Sequence, residues 1–148
     1  GYLLHTMDLV VNKILALAGR DEARDFLDVV HAHRSLLPLG AQVWAACGKD
    51  PGFNPSSLLE LIKRRGKYRP EDFKPLHLKI PVNVQDLKQS WLGALDEAEQ
   101  FIQRAPPNEM GCLYYSQSKK IFVLPTKIDG DVIPHYGKVG GVLPRILE

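Results

Sequence analysis

The stretch DLVVNKILALAGRDEARDFLD, residues 8–28, decides how the fold of this 148-residue chain begins. Apolar residues recur at helical spacing on both sides of Gly19, so the stretch predicts two successive helices. We place these helices over about 7–18 and 22–34, because glycine ends many helices and aspartate, here Asp21, begins many. The charged residues of the stretch are then held on two neighbouring helices in a fixed relation.

Lys13 is the residue of the first helix that needs an explanation. At 100° per residue it falls inside the apolar arc, between Leu9 and Leu17, whereas Asp8 and Asn12 fall together on the opposite, polar edge. A lysine in that position either extends its ammonium group to water along an apolar stem or points into a cleft where it meets an anion. Both interpretations stay open from the sequence.

The second helix carries a charged cluster with the same ambiguity. Arg24, Asp28 and His31 share its polar face, and Asp25 lies at the flank, near the edge of the buried side. An exposed ion pair one turn apart contributes only about 0.3–0.5 kcal/mol, so the cluster, with Arg20, is either a structural ion-pair network or a site. Two aspartates three residues apart also suit a metal–phosphate contact or the positioning of a base.

The rest of the chain predicts a mainly α, α+β fold: a bundle-like helical domain over residues 1–105, then a β-hairpin and an irregular packed tail over 106–148. A third helix is predicted over about 39–47, a fourth starts at the cap signal of Asn54, and the longest opens at Asn83. Between the last two, Leu76, Leu78 and Ile80 alternate with polar residues, which favours an extended segment. The core stripe of the longest helix comprises Leu87, Trp91, Ala94, Leu95, Ala98 and Ile102.

The basic run KRRGKYR, residues 63–69, is the strongest local concentration of charge. It is either the basic C-terminus of the fourth helix, which the helix dipole favours, or a footprint for the phosphate backbone of a nucleic acid. Its candidate nucleic-acid-binding residues are Lys63, Arg64, Arg65, Lys67 and Arg69.

Composition limits the class of protein. A net charge of +2 is too mild to indicate nucleic-acid binding by itself, and Cys47 and Cys112 form no disulfide framework, so we expect reduced thiols. No apolar run reaches the roughly 18 residues of a membrane span, and no signal peptide is recognisable. We therefore expect a cytoplasmic protein without membrane contact. The chain begins with Gly1 and not methionine, so we expect it to be a piece of a longer gene product.

Two motifs within residues 8–28 resemble the C-terminal motifs of AbiEii-type nucleotidyltransferases, the abortive-infection toxin-like branch of the DNA polymerase β-like superfamily. The third motif of that family is D-x4-K, which DLVVNK (8–13) fits, and the fourth is R, a short gap and R-D-x-x-D, which RDEARDFLD (20–28) fits. The resemblance covers about residues 6–34 well, the later helices loosely and the tail hardly at all.

The resemblance implies transfer of a nucleotidyl group from an NTP to an acceptor, in some members the end of a tRNA, with Mg²⁺ held by carboxylates. It implies that Lys13 contacts the triphosphate. Asp25 and Asp28 would lie beside the active site and orient Arg24 or the incoming nucleotide. The full implied set is Asp25 and Asp28 as catalytic residues, and Lys13, Arg24, Arg20 and Asp8 as nucleotide-binding residues.

The sequence departs from the family at its first motif, a Gly-Ser turn followed by a metal-binding D-x-D. DGD, residues 129–131, has the spacing without the Gly-Ser, and we predict a turn there. We therefore expect the catalytic core to precede this chain in the same gene product. On its own the chain would be inactive and would hold no metal or cofactor. The alternative is a non-catalytic helical interaction module that pairs with an antitoxin-like partner or another subunit.

Overall fold

The structure, a computed structural model, describes residues 2–136 and the side chains of residues 5–136. Its α-helices are α1 (Tyr2–Arg20), α2 (Ala23–Ser35), α3 (Leu39–Lys49), α4 (Pro55–Lys63) and α5 (Val84–Arg104). Its strands are β1 (Cys112–Ser116), β2 (Ile121–Val123) and β3 (Val132–Tyr136), and short 3-10 helices cover Pro70–Leu76 and Pro107–Glu109. The predicted mainly α, α+β class is confirmed. No helix within these residues is long and apolar enough to cross a membrane.

The corner between α1 and α2 forms near the predicted place but by a different mechanism. The first helix begins well before residue 7, at Tyr2, and continues through Gly19 to Arg20. Asp21 does not cap α2 with its side chain: its backbone is left-handed, with φ of 52°, and Glu22 occupies the N-cap position. A left-handed residue directly after a helix is a common way to end it, and it turns the chain back so that α2 packs on α1.

The central element is α3, which is buried on almost every side. Ten of its eleven residues are buried, and it packs against α1, α5, α4, α2 and β1. Gly40 allows the close approach to α5, because a Cβ there would lie 3.1 Å from the Cα of Ala98. A helix that is apolar all round is typical of a core helix, and the other elements are arranged around it.

The segment between α4 and α5 differs from its prediction. Asn54 caps α4 as predicted, and Ser57 completes a capping box that the prediction did not include. The helix ends at Lys63, so most of the basic run lies in the loop after it. The segment containing Leu76, Leu78 and Ile80 is a 3-10 helix up to Leu76 and then irregular chain without strand pairing among residues 2–136. Prolines at both ends of the segment remove backbone donors that a strand would need.

The α5 helix packs along the core as predicted. Five of the six stripe residues are buried, Ile102 is partly buried, and the ring of Trp91 meets Phe26 of α2 edge-on at 5.1 Å. The stripe also includes Phe101, which the prediction missed and which is fully buried against Trp44 of α3.

The C-terminal region forms a three-stranded antiparallel sheet in the order β2-β1-β3. The hairpin is confirmed, but the irregular tail is wrong for Val132–Tyr136, which pairs with β1. Residues 137–148 of the predicted tail lie outside the described residues. Residues 129–131 form a turn, in which Asp131 accepts hydrogen bonds from Ser116 Oγ and Ser118 N, both at 2.8 Å. The carboxylate therefore closes a loop between strands and does not stand free as a metal ligand.

Candidate functional site

Four of the motif residues meet where α1 and α2 turn back on each other, a cluster that we call the charged corner: Lys13, Arg20, Asp25 and Asp28. Asp25 is its centre. Arg20 Nη2 donates to both carboxylate oxygens of Asp25 at 2.9 Å, and Nε donates at 3.2 Å. Lys13 Nζ lies 3.4 Å from Asp25 Oδ1 and 3.0 Å from Asp28 Oδ2. The corner therefore links two cations through one shared carboxylate.

Exposure differs sharply within the charged corner. The side chain of Asp25 is 0% exposed, whereas those of Lys13, Asp28 and Arg20 are 39%, 45% and 57% exposed. A buried carboxylate needs charged partners, because an ionised group without them is costly to remove from water. Asp25 therefore fixes the positions of the Arg20 and Lys13 side chains. The two cationic groups remain accessible to a ligand from solvent.

The corner also fixes the charge state of Lys13. Its pKa is raised above the usual value, first by the hydrogen bond to Asp28, against a smaller lowering by partial burial. The negative charges of Asp28 and Asp25 raise the pKa further. Lys13 is therefore a cation throughout the physiological pH range. This suits the contact with an anion that the sequence left open, and it excludes a role as a neutral amine base.

Arg24 does not join the corner. Its side chain is exposed and has no hydrogen-bond or ion-pair partner among residues 5–136. Asp25 contacts Arg20 and Lys13, so the interpretation that the aspartates orient Arg24 finds no contact to support it. Arg24 instead borders two surface grooves, both of which are also lined by Leu76.

Asp8 was placed wrongly on a polar edge. It is buried and forms an ion pair with Lys49, the last residue of α3, whose ammonium group also donates to Asn12 Oδ1 at 2.8 Å. The side chains of Lys49 and Asp8 are only 5% and 10% exposed. The two ends of the D-x4-K motif therefore contact different helices: Asp8 links α1 to α3, and Lys13 contacts α2. No sequence pattern identifies Lys49 as the partner of Asp8, since a lysine in the last turn of a helix is ordinary.

The basic run is largely engaged with the chain itself. Lys63 donates to Glu60 at 3.2 Å and Glu99 at 3.3 Å, and Arg65 donates to the Ala18 carbonyl at the end of α1. These two residues hold helices together. Arg69 lies 3.4 Å from the carboxylate of Glu71. The two members that are exposed and have no ion-pair partner among residues 5–136 are Arg64 and Lys67.

Histidine and cysteine positions add no second centre. Among the described residues no group of three His, Cys, Asp or Glu side chains has a geometry that could hold a metal ion. Cys47 and Cys112 are free and buried, as expected of reduced thiols, and burial raises the pKa of each to about 12. Such thiols are unreactive at neutral pH.

Comparisons with known proteins do not place the chain in a family. No protein-family model, no curated protein and no solved structure matches it. The resemblance through residues 8–28 therefore stays a prediction. The geometry of the charged corner is the structural observation that bears on its chemistry.

Proposed function

We propose that this chain is the helical, nucleotide-contacting part of an AbiEii-type nucleotidyltransferase of the cytoplasm. It would form one wall of the NTP cleft. The Mg²⁺-binding carboxylates, on this proposal, belong to a catalytic core elsewhere in the same gene product. The chain supplies cations for the triphosphate and the surface along which an acceptor, such as the end of an RNA, approaches.

The observation that supports the proposal is the convergence of two sequence motifs on one carboxylate. Lys13 ends the D-x4-K motif, Arg20 begins the next one and Asp25 lies inside it, yet all three meet within 3.4 Å. A triphosphate needs cationic donors at fixed separation, and the buried Asp25 fixes both of them. In this proposal Asp25 is a positioning residue, since it has no exposed surface with which to reach a substrate.

Asp28 has a different part in the proposal. Its carboxylate is partly exposed and shares Lys13 with Asp25 at the surface of the corner. The Lys13 ammonium group has three N–H donors, of which Asp25 and Asp28 engage two, so an arriving phosphate can accept the third. Asp28 therefore holds Lys13 in place before the nucleotide binds. It is also left with a free acceptor oxygen beside the bound nucleotide.

In this proposal Arg64 and Lys67 of the basic run contact the acceptor, because Lys63, Arg65 and Arg69 already have ion-pair partners within the chain. Two exposed cations supply a weak, salt-dependent attraction for a phosphate backbone, without sequence selectivity. The catalytic core would have to present its metal site to the same side of α1 for the proposal to hold.

The test is protection of the full gene product by Mg-NTP. Lys13→Ala is compared with Lys88→Ala, a matched control on α5 whose lysine is exposed and has no ion-pair partner among residues 5–136. A ligand at a concentration about 100 times its Kd stabilises a protein by about 2.7 kcal/mol. Each of the four NTPs is tested. We expect one of them to raise the melting temperature of the wild type and of Lys88→Ala, and we expect Lys13→Ala to abolish that rise.

Equal protection of Lys13→Ala and Lys88→Ala, with both variants folded, removes Lys13 from the nucleotide site. No protection of any variant by any NTP contradicts the proposal as a whole. The intact mass of the natural gene product accompanies the test, because it shows whether a further domain of roughly 100 residues exists to supply the metal site.

A further inference from the structure

A second feature lies along α2 beside the charged corner, with which it shares Asp28. A groove of about 260 Å³ runs between α2, the irregular chain after Leu76, and the start of α5. We call it the α2 groove. Its aliphatic lining consists of Leu27, Val30, Leu76, Leu78 and Leu87, and its polar margin of Arg24, Asp28, His31 and Arg34.

The α2 groove is lined by residues along most of α2. Arg24 and Arg34 stand ten residues apart at its two ends, which corresponds to about 15 Å along a helix. Val30 and Leu87 are buried in its floor, while Leu78 is 44% exposed at its margin. A volume this small over such a length is shallow, so it accommodates a single row of side chains and not a whole buried ligand.

The charges along the polar margin of the α2 groove indicate which kind of ligand it can bind. Asp28 pairs with Lys13, and Arg34 pairs with Asp86 at 3.1 Å, so these charges are largely neutralised within the chain. Arg24 is left as a cation without a partner among residues 5–136, and the exposed His31 ring adds an N–H donor one turn beyond Asp28. The groove therefore presents one uncompensated positive charge beside an aliphatic strip.

We infer that the α2 groove binds an acidic amphipathic helix of a partner protein, with leucine-type side chains on the aliphatic strip and a carboxylate on Arg24. Helices that dock in grooves present apolar residues at i, i+3, i+4 and i+7, which is one row of the required length. A carboxylate in the next turn reaches Arg24 and forms a bidentate pair.

The same lining disfavours nucleotides and nucleic acid. The aliphatic strip offers no phenylalanine, tyrosine or tryptophan ring on which a base could stack, and Arg24 is the one arginine of the lining without an ion-pair partner among residues 5–136. The groove and the charged corner share Asp28, but the proposed peptide contacts Arg24 and the aliphatic strip, whereas the proposed NTP contact is made by Lys13 and Arg20.

The test is selection of binding peptides from a random displayed library on the intact chain. Counter-selection uses Arg24→Glu/Leu78→Asp, two exposed positions whose change leaves the core intact. We expect enriched peptides to combine Glu or Asp with leucine-type residues at helical spacing. An enriched peptide should bind Arg24→Glu at least about tenfold more weakly, and replacing its acidic residue by lysine should restore binding to that variant.

Enrichment of basic peptides, or of none, overturns the inference, as does equal binding to the Arg24→Glu variant. Two further outcomes do the same by assigning the groove to another occupant. One is concentration-dependent dimerisation of the chain alone that Leu78→Asp abolishes, which would place a second copy in the groove. The other is displacement of the bound peptide by Mg-ATP that survives Lys13→Ala, which would make the groove a nucleotide site.

Discussion

The two ends of the D-x4-K motif make an instructive comparison, because they lie five residues apart on one helix and have opposite environments. The Asp8 side chain is buried with Lys49 between α1 and α3, and Lys49 also donates to the exposed Asn12. The Lys13 side chain is partly exposed, and its ammonium group contacts Asp25 and Asp28 at the protein surface. Five residues rotate a helix position by 140°, so one motif serves two neighbouring helices.

The difference shows which charges are available for function. A pair enclosed on all sides is part of the framework, because neither partner can exchange its contact for a ligand without leaving an unpaired buried charge. A cation that rests on a buried carboxylate but faces water can exchange partners at small cost. Asp8 therefore acts on stability, whereas Lys13 is the better candidate for binding. Four predictions test the distinction.

The largest loss of stability should follow Lys49→Met. This change leaves the buried Asp8 carboxylate without its cation, and breaking a buried pair from one side costs about 3–5 kcal/mol. Urea unfolding of Lys49→Met beside the surface control Lys88→Met measures the difference. The double variant Asp8→Leu/Lys49→Met should recover most of the loss, since apolar residues of similar volume often replace a buried pair without cost. A small loss in the single variant would mean that water reaches the pair.

Asp25→Ala should have the next largest effect. It removes the shared carboxylate of the charged corner, but the two cations it releases, Arg20 and Lys13, can turn to water. We therefore expect a loss of about 1–3 kcal/mol of unfolding free energy, less than for Lys49→Met. Asp28→Ala, which removes an exposed carboxylate from the same lysine, is the matched control and should cost less than Asp25→Ala. The reverse order would refute Asp25 as the centre of the corner.

A third, smaller effect concerns His33, whose Nδ1 accepts a hydrogen bond from the backbone N–H of Leu39 at the start of α3, at 2.8 Å. Burial lowers the pKa of His33, with Arg34 adding to the lowering and Glu97 opposing it. His33→Ala should cost about 1 kcal/mol at pH 7.

The pH dependence of this effect has a defined sign. Because the folded-state pKa of His33 lies below its unfolded value of 6.5, the contribution of His33 is complete above about pH 6.5. It is lost as the pH falls through 6.5 toward the folded-state value. The stability gap between wild type and His33→Ala should therefore narrow by about pH 5, while His31→Ala, which removes an exposed ring, shows no such gap. A gap that widens in acid would contradict the hydrogen bond.

The smallest change in stability should follow Lys13→Ala, under about 1 kcal/mol, because partly exposed ion pairs are weak and Asp25 keeps Arg20. The raised pKa of Lys13 gives the sign at high pH: its contribution is present below about 10.5 and fades as the pH rises through the folded-state pKa. Thermal melts of the variant at neutral pH check the magnitude. A loss of several kcal/mol would make Lys13 a framework residue like Lys49.

The sequence predicted the elements better than it predicted their contacts. Helix existence followed from apolar spacing, and the caps at Asn54 and Asn83 were confirmed because each signal is local. The burial of Asp8 could not be predicted, since it depends on Lys49, a residue 41 positions away on a helix whose register is set by packing. The third strand was not predicted for the same reason. β3 contains Pro134, which disfavours a strand locally, and its strand structure depends on pairing with β1.

Within the candidate site, periodicity placed Lys13 among apolar neighbours and Asp25 at the edge of burial, and both positions are consistent with the structure. It also placed Asp28 and Arg24 on one polar face, but only Asp28 reaches Lys13. A helical wheel gives the direction of a side chain and not the partner that arrives from another helix. Arg20 begins a motif but lies at the end of α1. Its ion pair with Asp25 depends on how α1 and α2 pack, so the sequence alone could not predict it.

Affinity labelling tests the central claim most directly. The full gene product is incubated with an NTP analogue that carries a pyridoxal aldehyde at its terminal phosphate, the imine is reduced with borohydride, and labelled lysines are mapped by mass spectrometry. The incubation is run at alkaline pH, because imine formation needs a neutral amine and the pKa of Lys13 is raised. The account predicts label on Lys13 that plain Mg-NTP blocks, with Lys88 unlabelled or labelled without protection. Nucleotide-protected label on other lysines, with Lys13 unmodified, would contradict the assignment of the charged corner to the triphosphate.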